Sequence, residues 1–187
     1  MKVLIDACVL YPTVLRELVM GLAGTGYFTP LWSARILEEW RRAAARHSDR
    51  DNVIAESEIA TIKARFPNSL VTVDPGTEQR LILPDPDDIH VLAAAIDGGA
   101  TALMTLNLKD FPTNTLSAHG VIRRDPDGFL LEAFHSDEVA MRRVTHTVIN
   151  TAEQHGIDVS NPRSLLKKAR LPRLGKALYP RQSSIRL

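Results

Sequence analysis

Apolar and polar positions along the chain alternate between two rhythms, short buried-looking runs and longer stretches with apolar residues three and four apart. Val3–Asp6 reads as a first strand. Pro12 then opens a helix whose apolar face is Val14, Leu15, Leu18, Val19 and Leu22, with Gly24 and Gly26 ending it. Tyr27–Thr29 is a short extended piece. Ser33 is placed to cap a helix through about Arg46, because its hydroxyl can accept an orphan amide and Ile36, Trp40 and Ala43/Ala44 follow at helical spacing. A further helix is expected over about 52–65, stopping before Pro67. Leu70–Val73 is β-branched and apolar ahead of Pro75 and Gly76, which predicts a strand. The next helix opens in Asp85-Pro86-Asp87-Asp88, places Ile89, Leu92, Ala93 and Ile96 on one face, and ends at Gly98-Gly99. Ala102–Leu106 is a buried strand, residues 107–111 turn into a short helix, and Gly120–Ile122 is a last short strand. This alternation predicts an α/β fold, a parallel sheet covered by helices.

Residues 127–156 carry one or two amphipathic helices, with Phe129, Leu130 and Phe134 in the first and Val139, Val144, Val148 and Ile149 in the second. From about Asp158 the composition turns Pro-, Ser- and Arg-rich. Pro162, Pro172 and Pro180 are spaced too closely for a long helix, which predicts a partly ordered extension. The expected organisation is a domain over 1–125, a helical extension over 126–157 and a basic tail over 158–187.

Composition sharpens this picture in three ways. A chain of 187 residues with 44% hydrophobic side chains is long enough for one packed core. No apolar run approaches the roughly 20 residues that span a bilayer, and the N-terminus lacks a signal-peptide pattern, so a cytoplasmic protein without a membrane segment is expected. The single cysteine, Cys8, excludes an internal disulfide framework and a cysteine-based zinc site. The net charge of +1 conceals an asymmetry: residues 159–187 hold eight Lys/Arg and no acid, leaving 15 basic against 22 acidic side chains, a balance of −7, in residues 1–158. The acidic body argues against polyanion binding by the whole surface, whereas the tail suits phosphates or an acidic partner, or is a solvated segment kept soluble by its charge; with Tyr179 as its one aromatic residue it does not indicate a stacking platform for single strands.

In a parallel alternating sheet the strand ends open on one crevice, so Asp6 after the first strand can meet Asn107 and Asp110 after the Ala102–Leu106 strand. Helix-borne acids at Glu38/Glu39 and at Asp85, Asp87 and Asp88 can complete the cluster. Carboxylates about 4 Å apart repel by about 4 kcal/mol per pair at an effective dielectric near 20, and such crowding calls for a divalent cation. Oxygen-only ligands point to Mg²⁺ or Mn²⁺ rather than zinc, and an ion of that kind can activate water toward a phosphodiester.

Four segments in order, Val3-Leu4-Ile5-Asp6, Ser33-Ala34-Arg35-Ile36-Leu37-Glu38-Glu39, Asp85-Pro86-Asp87-Asp88-Ile89-His90-Val91-Leu92-Ala93-Ala94-Ala95 and Thr105-Leu106-Asn107-Leu108-Lys109-Asp110-Phe111, resemble PIN-domain ribonucleases, most of all the VapC-type toxins of type II toxin–antitoxin systems. The resemblance covers about residues 1–125. It implies a Rossmann-like parallel sheet with helices on both faces and a helical C-terminal extension, and a Mg²⁺ or Mn²⁺ site that hydrolyses RNA. A cognate antitoxin protein and a homodimer are implied as partners. Carried over position by position, the catalytic set is Asp6, Glu39, Asp88 and Asn107, and the metal ligands are Asp6, Asp88 and Asp110. Glu39 is preferred to Glu38, which has Arg41 and Arg42 at i+3 and i+4 and suits a solvent-facing pair. Asp85 and Asp87 have helix capping as a structural alternative. Asn107 stands where the family often has Asp, keeping an oxygen ligand and removing a charge. Thr105 can assist through its hydroxyl or serve as a β-branched strand residue. Lys109 and Arg35 are candidate RNA contacts at the rim. His90 reads as a helix-flank residue, and the five other histidines read as surface residues.

Two other classes fit less well. A haloacid-dehalogenase-type phosphatase needs a second Asp two residues after the first, where this chain has Cys8. A flap-type DNA nuclease would need long basic loops around the crevice. The alternative that stays open is a catalytically weakened PIN-fold module that binds RNA or protein.

Overall fold

The computed structural model describes residues 1–180; Arg181 and Arg186 of the basic tail lie outside the described residues. Five parallel strands, β1 (Lys2–Ile5), β2 (Thr29–Ser33), β3 (Leu70–Val71), β4 (Ala102–Met104) and β5 (Ile122–Arg124), pair in the order β3-β2-β1-β4-β5. Val3, Leu4 and Ile5 are fully buried, as a central strand covered on both faces requires. Helices α1 (Ala7–Leu10), α2 (Thr13–Gly24), α3 (Ala34–Ala45) and α4 (Asp49–Arg65) lie in the crossovers that lead outward to β3. The chain then crosses back through α5 (Pro75–Gln79), a 3₁₀ turn at Pro86–Asp88 and α6 (Ile89–Asp97) to β4, and through α7 (Thr113–Ala118) to β5. Because the direction of crossing reverses, right-handed connections put these two groups of helices on opposite faces. The α/β sheet with helices on both faces is therefore as the sequence predicts.

Local chemistry sets the element ends. The Ser33 hydroxyl accepts from the Ile36 amide at 3.2 Å and caps α3. The second strand runs to Ser33 rather than stopping at Thr29, and tolerates Pro30 for a topological reason. Thr29 donates to Met1 on the β1 side and Trp32 donates to Ser69 on the β3 side, so the missing Pro30 amide would face β3 where that strand has not yet begun. The buried Arg16 of α2 reaches Glu58 of α4 at 2.9 Å and lies over Trp40 of α3 at 4.7 Å, tying the outer helices to the core.

Beyond β5, α8 (Pro126–Ser136) and α9 (Glu138–Gln154) form the expected helical extension, and α9 packs so closely on α2 that a Cβ on Gly21 would sit 2.6 Å from a Val144 methyl. The expectation of a partly ordered stretch from Asp158 needs correction up to residue 180. Pro162 and Pro172 each occupy the first turn of a helix, α10 (Pro162–Lys168) and α11 (Pro172–Leu178), where the missing amide costs nothing. Leu166, Leu171 and Leu174 are fully buried. The Asp127 carboxylate accepts from the Arg173 and Leu174 amides at 2.9 Å each and from Arg173 Nε at 3.2 Å, and Asp125 takes the other end of that guanidinium at 2.8 Å. No described helix is long and apolar enough to cross a membrane.

Candidate functional site

The strand order turns between β1 and β4, and the groups of interest lie at the carboxyl edge of this pair, where open parallel sheets bind ligands. Asp6 follows β1 directly, its amide donating to Met104 at 3.1 Å, and its side chain is buried. One oxygen, Oδ2, accepts from the Thr105 hydroxyl at 2.7 Å and from the Cys8 thiol at 3.0 Å. Thr105, fully buried after β4, also accepts from the Asn107 amide at 2.9 Å, so one hydroxyl fixes both Asp6 and the turn that carries Asn107. Burial, then the charge of Asp6, pushes the Cys8 thiol up to about 12. It stays protonated and donates, which leaves it a structural partner of Asp6 rather than a thiolate ligand.

The second group gathers Asp85, Asp88 and Asp110, which each offer a carboxylate oxygen within 4.8 Å of the others. Asp85 also caps the 3₁₀ turn, accepting from the Asp87 amide at 2.9 Å, so the capping role and the cluster coexist in one residue. Asn107 Nδ2 donates to Asp88 Oδ2 at 3.1 Å. Asp110 is held through its loop: Arg123 of β5 donates to the carbonyls of Leu108 and Phe111 at 2.6 and 2.9 Å. Burial first, then the charges of Asp6, Asp85 and Asp110, push the Asp88 pKa from 3.8 up to about 6, with His90 opposing. Asp6 therefore lies close enough to be felt electrostatically by the three-carboxylate group although it stands outside it.

Glu39 sits on α3, outside the three-carboxylate group, and pairs with His90 Nε2 at 2.7 Å and with Arg35 at 3.6 Å; its link to the cluster is His90, two residues after Asp88. His90 is not a flank residue: it is buried, and its Nδ1 has no hydrogen-bond partner among the described residues. Its apolar neighbours hid the contact, since Glu39 is 51 positions away in the sequence. Glu38 faces away and is clamped by Arg41 and Arg42 at 2.7 Å each, which holds its carboxyl down to about 2. Arg35 is divided between Glu39 and Glu78, while Lys109 is exposed beside Asp110 and makes no ion pair among the described residues. Sequence reasoning missed Arg123 as the clamp of the Asp110 loop; an arginine on an edge strand carries no signal of it.

The donor set fits a hard divalent cation. Three carboxylates share a small volume, every donor is oxygen, and the Asp88 pKa is raised by burial and then by the neighbouring acids, both of which a cation would offset.

A family model described as the PIN domain matches residues 2–109. The protein named Putative ribonuclease VapC50, from Mycobacterium tuberculosis (strain ATCC 25618 / H37Rv), is 40% identical over 57 residues, which is 30% of this chain and 34% of that protein. The alignment thus spans about a third of the relative's length. No solved structure matches significantly. The matched span runs from β1 into the loop after β4, over more than half of the sequence, and includes Asp6, Glu39, Asp88 and Asn107: this chain belongs to the PIN-domain family.

Proposed function

We propose that this protein is a Mg²⁺- or Mn²⁺-dependent endoribonuclease that hydrolyses RNA phosphodiester bonds and acts in the cytoplasm as the toxin of a toxin–antitoxin pair. The observation that carries the reading is the convergence of Asp85, Asp88 and Asp110, with Asp6 adjoining, at the carboxyl edge of a PIN-family sheet. The ribonuclease named above, similar over part of its length, supports RNA as the polymer.

Asp88 and Asp110, with Asp85, would hold the ion, and Asp6 would complete its surroundings. When bound, such an ion supplies charge stabilisation at the scissile phosphate and a water of lowered pKa. The chain's own residues do the positioning. Thr105 fixes the Asp6 carboxylate, and Asn107 fixes one Asp88 oxygen, the other accepting no hydrogen bond among the described residues. His90 and Arg35 hold the Glu39 carboxylate, and the role we assign to it is to accept a proton or orient a solvent molecule. Lys109 is the rim cation available to phosphates, while Arg35, the other candidate contact, would first have to leave Glu39 and Glu78. The groove of about 320 Å³ between α2 and the α3–α4 pair, lined by Tyr11, Arg16, Trp40, Ile54 and Glu58, is the surface we assign to the cognate antitoxin, and a homodimer is the assembly we expect.

A second reading, a weakened PIN-fold module that binds RNA or protein, is favoured by the Asn107 amide sitting on Asp88 where a fourth acid would add charge. One experiment separates the two: purified protein is incubated with total RNA and Mn²⁺ or Mg²⁺, beside an EDTA control and Asp6→Ala. Discrete products that require metal and Asp6 are expected. Intact RNA together with no measurable Mn²⁺ binding would overturn the nuclease reading in favour of the binding module.

A further inference from the structure

The α10–α11 hairpin encloses a groove of about 650 Å³, within the range of volumes that ligand sites occupy. Its walls carry Arg163 and Lys167 from α10 and Lys176 from α11, with Tyr179 at one end. None of the three cations makes an ion pair among the described residues, whereas Arg173 on the same hairpin is consumed by Asp125 and Asp127. The hairpin is a rigid platform. Asp127 pins its second helix to α8, and the two helices meet so closely at Gly175 that a Cβ there would lie 3.2 Å from Leu166 Cβ. The acid nearest in sequence, Asp158, is engaged by the Ser160 amide at 2.9 Å.

We propose that the α10–α11 groove binds the phosphate backbone of single-stranded RNA, as a second contact separate from the acidic cluster. The assignment rests on the reading of the protein as an RNA-acting enzyme. Charge in the body is net negative, so positive potential is concentrated on this hairpin rather than spread over the surface. An acidic protein partner would need an apolar centre to its interface. No large hydrophobic side chain is exposed between residues 158 and 180, so recognition here runs through charge. That charge suits a flexible polyanion strand held by its phosphates.

The test is binding of a fluorescein-labelled single-stranded RNA to the full chain, in EDTA so that no cleavage occurs, over a range of salt concentrations. Wild type is compared with the triple variant Arg163→Ser/Lys167→Ser/Lys176→Ser, with Lys176→Glu alone, and with a charge-matched control, Arg46→Ser/Arg50→Ser/Arg143→Ser. Loss of three phosphate contacts should weaken binding at least about tenfold and flatten the log–log salt slope by about 2, at about 0.7 per contact for single strands. Lys176→Glu should weaken binding in the same direction, and the control should bind like wild type. Equal affinity and slope in the groove variants, or an equal loss in the control, would overturn the proposal. So would RNA binding unchanged by the triple variant while binding of labelled poly-glutamate is lost, which would mark the groove as a protein-docking surface. Cleavage of RNA by wild type with Mn²⁺ is scored separately: groove-dependent binding without cleavage would count against the nuclease reading alone, and cleavage without groove dependence against this proposal alone.

Discussion

Replacing Asp88 by Asn should stabilise the metal-free protein at neutral pH while removing its response to metal. The carboxylate oxygens of Asp85, Asp88 and Asp110 lie within 4.8 Å of one another. Two unit charges at that separation repel by about 3.5 kcal/mol at an effective dielectric near 20 and by about 0.9 in bulk water. The Asp88 pKa, raised from 3.8 to about 6 by burial first and by the charges of Asp6, Asp85 and Asp110 second, sets the scale of what that charge costs the fold. Two pH units correspond to about 3 kcal/mol, which solvent screening of this half-buried group reduces to about 1–2. Asp88 also precedes α6, where a negative charge interacts favourably with the helix dipole by about 0.3–1 kcal/mol, so the net gain for Asp88→Asn is about 1 kcal/mol. That is about 2–4 °C in Tm for a chain of this size. The sign with pH follows from the raised value: the folded protein holds the Asp88 proton more tightly than the unfolded chain, so the contribution of this one group is most favourable below about pH 4 and is lost as pH rises through about 6. Asn has no such loss. Scanning calorimetry in EDTA should therefore show the two proteins melting together near about pH 4 and the variant melting higher near about pH 7.5, with Mn²⁺ raising Tm of wild type only. A variant that melts lower at neutral pH, or a gap of the same size at both pH values, would refute the picture of mutually repelling carboxylates awaiting a cation.

Three further outcomes test other parts of the site. Arg123→Met removes the donors to Leu108 and Phe111 and should cost about 1–2 kcal/mol while loosening Asp110, so Mn²⁺ affinity read by calorimetry should fall by more than the drop in Tm explains. His90→Leu keeps the buried volume but frees Glu39 from its 2.7 Å contact, and kcat for RNA cleavage should fall about 10–100-fold with KM little changed; wild-type kcat would remove His90 from the positioning of Glu39. Asp127→Ala leaves two backbone amides and part of Arg173 without an acceptor, a loss of about 3–5 kcal/mol, and limited proteolysis should cut ahead of α10 before the sheet unfolds.

The parts of this protein that were legible in its sequence are those fixed by neighbours in the chain. Ser33 caps α3 because the acceptor and its amide are three residues apart, and Glu38 pairs with Arg41 and Arg42 because one helical turn brings them together. Asp6 reaches the carboxyl edge of the sheet simply by following an apolar strand. The parts that were not legible depend on separations only the folded chain closes. His90 meets Glu39 across 51 positions, and Arg123 clamps carbonyls 15 and 12 residues before it. Asp85 could be read as a cap or as a ligand, and the structure leaves it able to be both, since one oxygen serves the Asp87 amide at no cost to its place among the carboxylates. The prolines of the C-terminal extension were ambiguous for a related reason. A proline ends a helix that has begun but starts one that has not, and which of the two applies at Pro162 and Pro172 is decided by whether Leu166, Leu171 and Leu174 find a surface to cover. They find it in the core that α10, α11 and α8 close together, where Asp127 of α8 supplies the acceptor for the amides that open α11, so the same buried carboxylate that completes a helix end also presents the basic groove as a fixed surface.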